Sequence, residues 1–474
     1  MSSLFLKVFH SLPPAARNLA ASLHGRRLSH WRYGLETDRL VADALQRERW
    51  TADQWASWQQ SRLSELLRTA SHKVPFYRNG WSGSHARGLD PARLADWPIL
   101  QKKALRGSPH QFLSQEAPQS ALRLEQTSGT TGTPLTLWQS RATAQSWYAL
   151  MEARWRGWYG LSRADRWGIL GGQLVTPQHQ QKPPFWVWNS ALNQLYCSSY
   201  HISPETCGHY LDEIKTRRLV YLWGYASSLY SLAMFAQERH LQAPQLKVVI
   251  SNAEPLYDHQ RELISRVFQC PVRNTYGMSE NTAAASECEA GSLHLWPEVG
   301  VYEVLSDDSN DPVPPGETGR LICTGFLNAD MPLIRYEVGD RVSIAPPTHQ
   351  CPCGRTLPIL LSVEGRSDDV ILTPDGRRIG RLDPVFKADL HLKEAQIIQE
   401  SLDVLRVLIV PAQNFSATDE RQIIAALRQR IGDISIKVER VTHIPRTANG
   451  KFRAVISKVH HQNQPSTNQE PAHV

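Results

Sequence analysis

Leu63, Leu66, Leu67 and Ala70 recur three and four residues apart, the spacing that lines one face of an α-helix with apolar side chains. The first hundred residues around them are rich in Trp and Arg and read as helices whose apolar stripes face a core. Further along, the pattern changes. Short β-rich runs such as 247–250 and 320–324 alternate with helical stretches such as 257–268, which is the alternation of α/β layers. The segment VEGRSDDVILTP at 363–374 sets Gly, Arg and a polar cluster between two apolar runs, as a domain junction does. Beyond it, VLRVLIV at 404–410 has the pattern of a strand and ERQIIAALRQRI at 420–431 that of a helix. The expected fold is α/β, with a large multi-layer N-terminal domain of mixed sheets over 1–364, helical over about its first 115 residues. A small mobile C-terminal α+β lid domain is expected over 365–460, and the polar, Pro-containing 461–474 is expected to be a disordered tail.

Composition narrows the classes. The chain has 474 residues with 41% hydrophobic content, enough for one large core and a smaller one. The net charge of +7, from 52 basic and 45 acidic residues, comes with neither interleaved aromatics nor a recognition motif, so no nucleic-acid partner is expected. Polar residues interrupt every hydrophobic run before the roughly 20 apolar positions a membrane-spanning helix needs. Residues 4–23 mix apolar side chains with Lys7, His10, Pro13, Pro14 and Arg17 and lack the uninterrupted core and cleavage signal of a secretory peptide. A cytoplasmic location is expected, with at most peripheral membrane contact through an amphipathic start, and a monomer or homodimer. Seven cysteines, an odd number, argue against a disulfide framework.

The candidate chemistry starts at QTSGTTGTPL, 126–135. Its glycines and hydroxyl residues make a turn whose backbone N–H groups and hydroxyls suit phosphate oxygens. It lacks the GK[ST] of a Walker loop, and taken alone the run also fits a plain solvated loop. Order is more informative. TSGTTG at 127 is followed by NTYGMSE at 274, RYEVGD at 335, GRSDD at 365 and PRTANGKFR at 445. This series resembles the adenylate-forming superfamily of acyl-CoA synthetases and related ligases, and over nearly the full length it resembles the branch of phenylacetate-CoA ligase and CapK. Leu135 stands where many superfamily members carry a lysine after the proline, and the phenylacetate branch also tends to lack it.

The resemblance implies activation of a carboxylic acid by ATP, with Mg²⁺, to an acyl-adenylate. Thr127, Ser128, Gly129, Thr130, Thr131 and Gly132 would hold the β- and γ-phosphates, and Glu280 would bind Mg²⁺. Lys451 would bridge the carboxylate and the α-phosphate; a flexible stem with a compact charge suits that catalytic task. Asp340 matches the ribose-binding carboxylate, and Arg366 the adjacent ribose and phosphate contact. Tyr276 would stack on adenine beside Gly277, while Ala253, Glu254 and Pro255 would line the base pocket. Asp368 falls at the hinge position, and Trp223 and Tyr225 are candidate walls of the acyl pocket.

Four further residues suit a metal. Cys351 and Cys353 form a C-x-C pair, and Cys288 with His294 a C-x₅-H pair about sixty residues earlier. Thiolates and imidazole favour tetrahedral Zn²⁺, and four protein ligands close the sphere, so the expected site is structural. Similar cysteines occur in the phenylacetate ligase branch. The likeness to acyl-CoA ligases implies coenzyme A as acceptor, with Arg377, Arg378 and Arg381 as a basic turn toward its phosphates. The stretch from 375 to 400 looks more like CapK, associated with capsule and exopolysaccharide synthesis, which puts a sugar or polymer hydroxyl forward as the other acceptor.

Overall fold

The computed structural model describes residues 3–81, 90, 92–126, 135–177, 179–366, 371–374, 378–379, 382, 385, 390–447 and 451–459, with the backbone alone at 3–6, 81, 126, 365–366, 378 and 429–430. By packing it divides into two compact units, Met1–Val363 with Thr447–Lys451, and Glu364–Arg446 with Phe452–Val474.

The first unit opens with the helices Ser3–Ser11, Pro14–Arg32, Thr37–Arg47, Ala52–Lys73 and Pro75–Trp81. Pro14 occupies the first turn of its helix, where a missing N–H forfeits no hydrogen bond. Thr51 and Gln54 start the fourth helix with a reciprocal capping box. The stripe of Leu63, Leu66, Leu67 and Ala70 is buried among Tyr77, Trp97, Phe112 and Tyr336.

Strands β1 (Arg123–Gln126) and β2 (Thr136–Gln139) form an antiparallel hairpin in which Gln126 faces Thr136. The next twelve build one mixed sheet: β3 (Trp167–Gly171), β4 (Trp186–Asn189), β5 (Gln194–Ser198), β6 (Tyr221–Tyr225), β7 (Val248–Asn252), β8 (Val272–Gly277), β9 (Ala284–Glu287), β10 (Leu293–Leu295), β11 (Gly300–Leu305), β12 (Thr318–Gly325), β13 (Tyr336–Ile344) and β14 (Ile359–Arg366). Their order across the sheet is β11-β12-β13-β14-β10-β9-β8-β7-β6-β3-β5-β4. Pairing is parallel from β5 through β3, β6 and β7 to β8, and antiparallel from β8 to β9 and on to β10. The helices Cys207–Thr216, Ala226–Glu238 and Asp258–Phe268 share a core with these parallel strands. That cover explains why β6 and β7 read as continuous apolar runs with no alternation. Gly224 has a steric reason to lack a side chain, since a Cβ there would lie 2.6 Å from the Leu170 carbonyl oxygen of β3.

A buried ionic knot closes the first unit. The fully buried Arg154, in a π-helical turn over Glu152–Arg156, forks onto Glu298 at 2.9 and 2.8 Å and reaches Glu48 Oε1 at 3.3 Å. Glu48 also accepts from Trp158 Nε1 at 2.7 Å and from Arg355 Nε at 3.1 Å, while Thr356 N donates to the Glu48 carbonyl at 3.0 Å.

In the second unit, β15 (Ile371–Leu372) pairs with β16 (Arg378–Ile379), and β17 (Leu392–Ser401), β18 (Val404–Pro411), β19 (Ser435–Arg440) and β20 (Val455–Ser457) form a sheet in the order β19-β18-β17-β20. Ser416 caps the helix Ala417–Ile431, whose Ile423, Leu427 and Ile431 pack on Ile397, Leu405, Val407 and Ile409 in a core of their own. The architecture is the expected α/β one, a large mixed-sheet body and a smaller sheet domain.

Candidate active site and metal cluster

Open sheets with parallel strands place ligands outside the carboxyl ends of those strands. There β6 ends at Tyr225, which is also the residue preceding the helix Ala226–Glu238, and β7 ends at Asn252 opposite it. Ala253 follows with φ of 61°, a left-handed conformation that costs a non-glycine residue about 1 kcal/mol or more and that concentrates at functional turns. The Glu254 carboxylate accepts from Ser227 N at 2.9 Å, which fixes the 253–255 turn to the positive end of that helix.

Tyr276 and Gly277 close β8 next door. The Tyr276 hydroxyl donates to Asp340 Oδ2 at 2.6 Å across to β13. Deep burial first, and the Asp340 charge next, hold that phenol well above its ordinary pKa, so it stays a protonated donor. Just past β8, Glu280 Oε1 accepts from Tyr336 OH at 2.9 Å and lies 3.9 Å from Lys102 Nζ. Lys102 itself is positioned because Leu100 adds to the edge of β13, its N bonded to Arg335 O and its O to Glu337 N. Lys102 carries no sequence signal that marks it as part of a site, whereas Tyr336 falls inside the RYEVGD motif.

Lys451 falls in the first unit by its packing. Its backbone closes a turn with Thr447, through N to Thr447 Oγ1 at 3.1 Å and O to Thr447 N at 2.9 Å. Its Nζ lies 5.8 Å from the centre of the Tyr225 ring, within reach of a cation–π contact. Burial, followed by the Glu254 charge, pushes the Tyr225 phenol up to about 12.

Trp223 lies two residues before this end and is buried in an aromatic core with Trp155 at 4.9 Å and Trp167 at 5.7 Å between ring centres. In the orientation that satisfies both its groups, the Asn252 amide accepts from Trp223 Nε1 at 3.1 Å and donates to Gly224 O at 2.9 Å. The 127–132 loop and Asp368 lie outside the described residues, as does the side chain of Arg366; the β1–β2 hairpin holds the two ends of that loop together.

The four metal-type residues, from β10 and the loops at 288 and 351–353, do come together. Their ligand atoms all lie within 4.8 Å of one another, with Cys288 Sγ to Cys351 Sγ at 3.6 Å and Cys353 Sγ to His294 Nε2 at 3.3 Å. A tetrahedral zinc with bonds of about 2.3 Å separates its sulfurs by about 3.8 Å, so the donors fit such an ion. His294 Nδ1 donates to Leu357 O at 3.0 Å, which leaves the Nε2 lone pair toward the thiols, and burial lowers its pKa and keeps the ring neutral.

The profile described as AMP-binding enzyme matches residues 167–330, and that described as CapK C-terminal domain matches 371–458. Protein CapK of Staphylococcus aureus is 24% identical over 469 residues, covering 95% of this chain and 99% of its own. A phenylacetate-coenzyme A ligase of Thermus thermophilus is 25% identical over 330 residues, covering 66% of this chain and 71% of its own. The fold is that of 2-hydroxyisobutyryl-CoA ligase, whose crystal structure in the postadenylation state with R3-HIB-AMP has a TM-score of 0.68 at 22% identity, covering 87% of this chain and 91% of that one. The chain is an adenylate-forming ligase and belongs to the adenylate-forming superfamily. Within that superfamily it falls in the branch of CapK and the phenylacetate-CoA ligases.

Proposed function

We propose that this ligase activates a carboxylic acid with ATP and then transfers the acyl group to coenzyme A. The observation that carries the reading is the convergence of Tyr225, the 253–255 turn, Tyr276 and Gly277 at the carboxyl ends of β6, β7 and β8, with Asp340 and Glu280 beside them and Lys451 Nζ over Tyr225. A substrate carboxylate oxygen attacks the α-phosphorus, the bond to the bridging oxygen breaks, and pyrophosphate leaves with that electron pair. Lys451 neutralises charge on the carboxylate and α-phosphate as they meet, and the 127–132 loop binds the β- and γ-phosphates. Asp340 accepts from the ribose hydroxyls, Arg366 adds a ribose and phosphate contact, and Tyr276 presents its ring to adenine. Glu280 would hold Mg²⁺, which supplies neutralisation of the polyphosphate. Trp223 stiffens the acyl-side strand through its aromatic neighbours, and Tyr225 faces the acid.

Cys288, His294, Cys351 and Cys353 would hold a structural Zn²⁺ that clamps two loops of the first unit. The match of residues 371–458 to the CapK C-terminal domain favours a second acceptor, a sugar or polymer hydroxyl in capsule or exopolysaccharide synthesis. Acceptor-dependent AMP release separates the two.

The direct test is acid-dependent ATP–pyrophosphate exchange across a library of carboxylic acids. Lys451→Ala is expected to lower exchange by about 10²–10³. No exchange with any acid, or equal exchange by the variant, would overturn the assignment.

A further inference from the structure

The first 35 residues carry Lys7, Arg17, Arg26, Arg27 and Arg32 and no Asp or Glu, so they hold five of the seven net positive charges of the chain. The helix Pro14–Arg32 has a fixed inner face. Asn18 Oδ1 accepts from Trp188 N at 2.9 Å, Ser22 Oγ accepts from Ser190 N at 3.0 Å, and Arg17 and Gly25 are buried. The opposite face presents Ala15, Leu19, Leu23, Arg26, Arg27 and His30, all exposed and following one another at helical spacing. Leu19 and Leu23 are 62% and 53% exposed, and Val8 of the preceding helix 56%. A folded chain gains nothing from leucines held outward in a row, and large exposed apolar groups in register mark a contact surface. The first acids after this stretch, Glu36 and Asp38, are ion-paired to Arg39 and Arg163.

From this juxtaposition we infer that the outer face of the Pro14–Arg32 helix docks on an anionic lipid surface, with Leu19 and Leu23 entering the headgroup boundary and Lys7, Arg26 and Arg27 facing lipid phosphates. Charge complementarity selects an anionic partner, and the leucine row selects a bilayer over a nucleic acid, whose phosphates have no use for apolar side chains. No helix among the described residues is long and apolar enough to cross a membrane, so this contact lies on the surface. Docking is independent of which acid and acceptor the enzyme uses.

Flotation of the full-length protein with vesicles of phosphatidylcholine, alone or with one quarter phosphatidylglycerol, tests it. Binding is expected only with the anionic lipid, weakening as salt rises. Each basic residue near such a surface is worth about five-fold, so Arg26→Gln with Arg27→Gln should weaken binding about 25-fold. Leu19→Ser with Leu23→Ser, which leaves the charge unchanged, should weaken it about ten-fold. Both variants should keep the parent circular dichroism spectrum and melting temperature. Equal recovery with neutral and anionic vesicles overturns the inference. So does anionic binding that the leucine variant leaves intact, or that a soluble polyanion such as heparin reproduces at equal affinity.

Discussion

Replacing Tyr276 with Phe removes a single oxygen, the one that donates to Asp340 Oδ2 at 2.6 Å, and leaves the ring beside the proposed adenine site. A hydrogen bond to a charged group contributes about 1.5 to 3 kcal/mol, which is about 10- to 150-fold in an equilibrium constant. Asp340 is assigned to ribose, so the loss should fall on nucleotide binding and not on the chemical step. The KM for ATP is expected to rise about ten-fold or more while kcat stays within about three-fold. Because burial and the Asp340 charge keep the Tyr276 phenol protonated, the ratio of variant to wild type should not change across the neutral range. Asp340→Asn alone should cost a comparable amount. In the double variant the two losses should not add, leaving a coupling of about 1 kcal/mol or more between residues that act as one unit. Nucleotide titration calorimetry and ATP–pyrophosphate exchange on all four proteins measure the cycle. Additivity to within about 0.5 kcal/mol, or an unchanged KM in the single Phe variant, would refute the coupling of this pair to the nucleotide.

The cysteine cluster predicts one zinc per purified chain by elemental analysis, lost in Cys351→Ser; substoichiometric zinc indifferent to that substitution removes the site. Acid should loosen the second unit at an identifiable place. The Ser416 hydroxyl first, then the Ser416 N–H, and then His391 hold the Asp419 carboxyl down to about 2, below its usual 3.8. Stability from a depressed carboxylate is complete above about pH 4 and is lost as pH falls toward 2. Hydrogen exchange across 416–431 should therefore show Asp419→Asn less protected than wild type at neutral pH, with the gap closing in that acid window. A gap that persists below it would place the stabilisation elsewhere.

Local pattern was readable wherever one residue type answers to one constraint. Leu63, Leu66, Leu67 and Ala70 sit on a buried helix face, β7 takes up the run at 247–250 from Val248 on, β12 covers 320–324, and the helix Asp258–Phe268 follows Tyr257, where the expected stretch began. Cys288, His294, Cys351 and Cys353 were legible because thiols and imidazole in close pairs have few other uses. Long-range pairing was not. Lys102 reaches Glu280 only through the addition of Leu100 to β13, and the run QKKALRG around it reads as any polar helix start. The sheet order, which sets β14 between β13 and β10, follows from crossovers that no window of sequence contains. The left-handed Ala253 is invisible for another reason, since alanine carries no signal for a conformation usually left to glycine.

Glu48 and Arg355, partners in the ionic knot, are 307 positions apart. During synthesis at about 5 to 20 residues per second, the carboxylate waits roughly 15 to 60 seconds for that partner. Arg154 emerges first and Glu298 next, and Arg355 arrives only with Cys351 and Cys353 beside it. Completion of the knot at Glu48 and closure of the cysteine cluster thus share one late event in the life of the nascent chain. The helix Pro14–Arg32 has its seat at Trp188 and Ser190 within the first two hundred residues, so it is the Glu48 corner alone that stays open until the far end of the unit is made.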